Sequence, residues 1–108
     1  MNAGTLRHQV TIQSITSTPD AYGGSVDSWI DVATVWASVE PLQGRELVAA
    51  QSVSAETTTK ITMRYRSDIT AAHRITFEGK FYNLLSLIDP ELKHRELIIM
   101  ASEGLNEG

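Results

Sequence analysis

The sequence predicts a mainly β domain, an antiparallel barrel or sandwich of about six strands with one short helix and a long projecting hairpin loop. Three observations carry this reading. Apolar residues recur at a spacing of two through most of the chain, the signature of half-buried strands. Clusters of glycine, proline, aspartate and serine separate these segments at intervals that suit antiparallel connections. Helix formers concentrate in only one stretch, Arg45 to about Ser54.

The stretch Ala33 to Leu47, ATVWASVEPLQGREL, organises the rest. It runs as an apolar strand, ends at Pro41, turns at Gly44 and enters the helix. Before it, Leu6, His8, Val10 and Ile12 share one face of a first strand, with Arg7, Gln9, Thr11 and Gln13 on the other. Ile15 breaks this phase, which predicts a bend or bulge there. Ser17 to Ser28, STPDAYGGSVDS, is too long for a tight turn and is expected to project as a flexible tongue with Tyr22 near its tip. Long loops of this kind often carry function, which makes Asp20, Tyr22, Gly23, Gly24 and Asp27 candidate partner-binding residues.

Trp29 to Glu40 reads as the second strand, apolar on parts of both faces. That pattern implies burial on both sides or a twist that swaps the inward face. Trp29 and Trp36 are expected to fill the core or a subunit contact rather than to stack bases. In the helix, Leu47, Ala50 and Val53 fall at helical spacing on a narrow apolar stripe. So short a helix needs a sheet or a neighbouring subunit to hold it. Beyond it, Thr59, Ile61, Met63 and Tyr65 point inward from a third strand. Arg74 to Glu78 is a short strand with Ile75 and Phe77 inward. Gly79-Lys80 is expected to be a two-residue turn, and Phe81 to Ile88 the returning strand. Asp89-Pro90 opens a turn and Arg95 to Ser102 is the last strand. A single domain, residues 1–108, is expected, with residues 1–5 and 103–108 as frayed ends.

Composition narrows the function classes. The 108 residues suit one domain with a modest core, and the absence of cysteine removes disulfide and thiolate chemistry. Nine basic against thirteen acidic residues give a net charge of −4, without the basic surplus that a phosphate-gripping protein usually shows. A local patch from Lys60, Arg64 and Arg66 on one strand is compatible with that balance. The polar N-terminus and the lack of a long apolar run predict no signal peptide and no membrane helix, hence folding in the cytosol.

Catalytic and metal chemistry find little support. His8, His73 and His94 fall on or beside three different strands without a closely spaced second ligand, so no metal site is expected. Asp27 and Asp31 flank Trp29, and Glu40 and Glu46 flank the Pro-Gly turn, but nothing distinguishes these acids from solvated surface residues. There is no nucleophile elbow, no Walker loop and no dinucleotide glycine motif. No enzyme and no cofactor are expected.

The order of segments resembles the phage head-tail joining (head-closure or head-tail adaptor) proteins. The resemblance rests on LRHQVTIQ at Leu6–Gln13, Tyr22-Gly23, and WIDVATVWASVEPLQGRE at Trp29–Glu46. It continues through ITMRYR at Ile61–Arg66, Ile69-Thr70, Arg74-Ile75, Gly79-Lys80, Tyr82-Asn83-Leu84, Ile88-Asp89-Pro90 and Arg95-Glu96-Leu97. It spans Gly4 to Ala101, and the string VWASVEPLQGRE followed by a YR strand and an IDP turn is its most specific part. The Leu84-Leu85 pair departs from the pattern, which expects one polar residue there and leaves open which face of that strand is inward.

The resemblance implies a small β-barrel in the virion of a long-tailed phage or prophage, made in the bacterial host cytoplasm. It implies a ring of copies, typically twelvefold in the virion, below the portal. Partners would be a head-side adaptor or portal complex and tail proteins, with phage DNA passing through the pore without sequence-specific binding. On that reading Arg45, Glu46, Leu47, Ala50 and Val53 are candidate ring-interface residues on the helix. The alternative is an OB-like module binding single-stranded nucleic acid, with Trp29, Trp36, Tyr65, Lys60 and Arg64 as its platform.

Overall fold

Ile12, Ile61, Ile75 and Ile99 come from four different strands and are all fully withdrawn from solvent. The computed structural model describes residues 6–104 and arranges them as β1 (His8–Pro19), β2 (Ser25–Pro41), α1 (Gly44–Val53), β3 (Thr59–Arg64), β4 (Arg74–Phe77), β5 (Lys80–Ile88) and β6 (Glu96–Gly104), with a single 3-10 turn at Pro90–Leu92. The strands close into a barrel in the order β1-β2-β3-β6-β5-β4, every neighbouring pair antiparallel. Closure leaves the barrel wall without a free edge. All six strands contribute to the core: Val10 and Ile12, Ala37, Ile61 and Met63, Ile75, Tyr82 and Leu84, and Leu97, Ile99 and Ala101. Ile69, from the loop before β4, plugs into the same cluster. Each fully buried aliphatic side chain here contributes about 1.5–3 kcal/mol relative to exposure.

The predicted alternation holds in β1 and β3. Leu6, Val10 and Ile12 are buried while Arg7 and Gln9 are exposed, and Thr59, Ile61 and Met63 are buried with Tyr65 packed against the core. The phase break falls slightly before Ile15. Ile12 pairs with Ala33 but Gln13 pairs with Asp31, so Val32 of β2 is the extra residue of a bulge.

The largest difference from expectation lies between Ser17 and Ser28. The segment is not a loop but the end of a ladder that runs on to Pro19↔Ser25, so β2 starts at Ser25 rather than Trp29. Serine, threonine and aspartate disguise these strands because both faces meet solvent. β1 pairs with β4 only from Thr11 to Gln13, and β2 pairs with β3 only from Ala37 to Pro41. Beyond those rungs the hairpin stands alone, spanning roughly 23 Å from Gln13 to its tip at strand rise. The protein measures 49 × 27 × 27 Å.

Smaller corrections follow from local geometry. Phe77 pairs with Lys80, so the β4–β5 turn centres on Glu78-Gly79 rather than Gly79-Lys80. Both residues have positive φ, 51° and 79°, the requirement of a type I′ turn. A bulge at Leu85 resolves the Leu84-Leu85 pair: Leu84 pairs with Ala101 and Ser86 with Met100, so Leu84 and Leu87 both face the core and Leu85 does not. Glu103 and Gly104, expected in a frayed tail, extend β6 opposite Tyr82 and Phe81. The other residues expected to fray, 1–5 and 105–108, lie outside the described residues.

Candidate partner-binding surfaces

Two elements leave the barrel, and they hold the residues singled out in the sequence. At the hairpin tip, the Asp20 carboxylate accepts hydrogen bonds from the backbone N–H groups of Tyr22 (2.8 Å) and Gly24 (2.9 Å) through Oδ1. The Asp20 N–H donates to the Gly24 carbonyl at 2.9 Å. Gly23 turns the chain at φ +85°, which an L side chain rarely adopts. Below the tip, the Ser17 hydroxyl donates to Asp27. Asp20, Gly23, Gly24 and Asp27 therefore build a defined turn, and Tyr22, 95% exposed, is what the turn displays.

The second element is α1. It buries no residue within its own chain, and its N-cap residue Gln43 supplies no side-chain hydrogen bond. Leu47 and Ala50 are half-buried, and Arg45 and Glu46 are exposed. Val53, predicted on the apolar stripe, is 89% exposed. The stripe is incomplete because the helix stands off the barrel and leaves a groove of about 460 Å³ between them. Leu42, Ala49, Ala50 and Val53 line one side; Leu85, Ile98 and Met100 line the barrel side. This groove has a signal in the sequence: the run Leu97 to Ala101 is apolar on both faces, as expected where a sheet is covered on both sides.

A third arrangement carried no such signal. Arg74, at the start of β4, lies on the outer wall beside the hairpin base yet is only 4% exposed. Its guanidinium carbon sits 4.2 Å from the ring centroids of both Trp29 and Phe81. Its Nε donates to Gln13 Oε1 at 2.8 Å, and Gln13 Nε2 donates to Asp31 Oδ1 at 2.8 Å. Burial pushes the Arg74 pKa down from its ordinary value. Of the two places expected for the tryptophans, the barrel core takes neither: Trp29 covers Arg74, and Trp36 is 54% exposed on β2.

The histidines are dispersed. His8 packs against the Phe77 ring at 4.8 Å, His73 Nδ1 accepts the Thr70 N–H at 3.0 Å, and His94 stacks on Tyr65 at 4.4 Å while its Nε2 lies 3.3 Å from Asp89. Among the described residues no group of three or more histidines and acids is placed to hold a metal ion. Of the five residues of the nucleic-acid alternative, Trp29 and Trp36 lie on β2, Lys60 and Arg64 on β3, and Tyr65 directly after it. Trp29 is engaged with Arg74, Tyr65 with His94, and Lys60 lines the groove. Of the charged pairs, Arg66 forms a two-point contact with Asp68 at 3.0 and 2.8 Å, and this hydrogen bonding draws the Asp68 pKa below its usual value. Lys80 lies 3.3 Å from Glu103, whose hydrogen bond raises the lysine pKa. Burial raises the Tyr82 pKa. No helix among the described residues is long and apolar enough to cross a membrane.

Side chains fill the barrel, and the hairpin and α1 stand out from its wall. Residues 1–104 match the family described as phage head completion protein. The chain belongs to that family, and so to the structural proteins of the phage particle. It is 30% identical over 90 residues to head completion protein gp7 of Enterobacteria phage HK97, a match covering 79% of this chain and 80% of that protein. The solution structure of protein SF1141 from Shigella flexneri 2a superimposes with a TM-score of 0.81 at 33% identity, over 99% of this chain and 100% of that one. A chain in the virion of a native gene transfer agent particle shares the fold, with a TM-score of 0.60 at 15% identity, over 94% of this chain and 97% of that one.

Proposed function

We propose that this head completion protein forms a ring that joins the capsid's portal complex to the tail and lets DNA pass. The observation that carries the reading is α1, a helix that buries no residue in its own chain and borders an apolar groove. A short helix with an unfilled apolar side is poorly stable alone and gains from a neighbour. In a ring, the groove and helix of one copy meet the barrel face of the next, a head-to-tail contact that closes on itself. Arg45, Glu46, Leu47, Ala50 and Val53 lie in that interface. The hairpin, with Asp20, Tyr22, Gly23, Gly24 and Asp27 at its end, docks on the next ring of the stack, toward the portal adaptor or the tail. The net charge of −4 limits the counterion-release attraction that would hold DNA in the pore.

Deleting Asp20 to Asp27 tests the docking assignment. The shortened chain is expected to fold with an intact barrel and to fail to join heads to tails in a complementation assay. Normal joining by the deletion variant would remove the hairpin from the mechanism.

A further inference from the structure

We propose that Arg74 is a positioning residue, a latch that fixes the direction in which the β1–β2 hairpin leaves the barrel. Arg74 sits where the hairpin parts from the barrel. The pairing of Gln13 with Arg74 is the last rung joining β1 to β4, and the Val32 bulge lies at the same level. Beyond this rung the hairpin has only its own ladder, so a small rotation here displaces Tyr22 by many ångströms. Bulges bend and twist a strand, which makes this level the natural hinge.

Arg74 spans that hinge. Its guanidinium lies over Trp29, which belongs to the free part of the hairpin, and over Phe81, which belongs to the barrel. Its Nε bond to Gln13 and the Gln13–Asp31 bond tie both hairpin strands into the same contact. A planar cation between polarisable rings, with a directed N–H to one amide oxygen, fixes orientation better than an aliphatic contact can. The arrangement is not a response to local charge. Among the described residues no carboxylate pairs with the guanidinium, and Nη1 is buried with no hydrogen-bond partner. A buried cation with an unused N–H opposes folding, so its place on the outer wall, between the hairpin and the barrel, points to a geometric task. The latch deepens the docking role proposed for the hairpin.

The test measures hairpin direction separately from joining. The chain has no cysteine, so Tyr22→Cys and Arg64→Cys place two spin labels without background, one on the tip and one on β3. Double electron–electron resonance on the otherwise natural chain is expected to give a narrow distance distribution. Arg74→Met, which keeps the aliphatic stem, is expected to broaden and shift it, and Arg74→Lys is expected not to restore it. Trp29→Leu repeats the test from the other side of the hinge and serves if the Arg74 variants do not fold. An unchanged distribution in a folded variant overturns the latch. Joining is scored in parallel on unlabelled chains that keep Tyr22 and Arg64 and carry only the Arg74 or Trp29 change: a broadened distribution with normal joining leaves the latch standing and removes the docking role, whereas an unchanged distribution removes the latch alone.

Discussion

Gln51, in the last turn of α1, donates through its side-chain amide to the backbone carbonyl of Thr57 at 3.0 Å. Thr57 is buried at the start of the segment leading to β3, so this bond ties the end of a loosely seated helix to the barrel rim. Gln51→Ala is expected to raise hydrogen exchange in α1 while leaving the barrel amides protected. The local cost is about 1 kcal/mol, the net worth of one such bond. Exchange monitored by mass spectrometry or NMR checks it; loss of protection across the barrel strands would contradict it.

Stability and assembly are predicted to separate by site. Ile61 and Ile99 face one another across β3 and β6 with no exposure. Either residue replaced by alanine is expected to lower unfolding free energy by about 2–5 kcal/mol in urea titrations. Val53→Asp, at a position 89% exposed, is expected to change monomer stability by less than about 0.5 kcal/mol while reducing ring formation. Equal destabilisation by the two kinds of change would place α1 in the folding core.

The β4–β5 turn offers a conformational test. Glu78 holds φ 51° in a position that favours asparagine or glycine. Glu78→Gly is expected to raise the thermal midpoint, and Gly79→Ala, at φ 79°, to lower it, because an L side chain in the left-handed region costs roughly 1–2 kcal/mol. Calorimetry of the two variants reads the opposite signs.

The Arg66–Asp68 pair sets a pH dependence whose sign is fixed. The folded Asp68 pKa lies below its unfolded value, so its contribution is present above the unfolded pKa and is lost as pH falls through the folded one. The stability difference between the natural chain and Asp68→Asn is therefore expected at neutral pH and to fade below about pH 3.9. The pair is exposed, so added salt is expected to shrink the difference. A difference that grew on acidification would contradict the assignment.

Much of the fold was legible because single residues pointed one way. The inward series Val10–Ile12 and Thr59–Ile61–Met63 could only belong to strands with one face in a core. The hairpin ends were not legible, since Ser17, Thr18, Ser25 and Asp27 carry no apolar alternation when both faces are wet. Leu84-Leu85 looked contradictory until the bulge at Leu85 moved the phase by one residue. At the surfaces, Asp20, Gly23 and Gly24 announced a turn through their chemistry, but its form is set by the bonds from Tyr22 and Gly24 N–H to the Asp20 carboxylate, which no spacing encodes. Arg74 gave no hint at all: a cation at a strand's start reads as solvent-facing, and only the spatial approach of Trp29 and Phe81 reveals that it is covered.

The central claim is that copies of this chain close into a ring through α1 and the groove beside it. Cryo-electron microscopy of the head–tail junction of a particle carrying this chain tests it most directly. The account predicts a closed ring of barrels with Leu47, Ala50 and Val53 against the neighbouring copy and the hairpins reaching into the adjoining ring. A ring in which α1 faces solvent, or a single copy without symmetric neighbours, would contradict it.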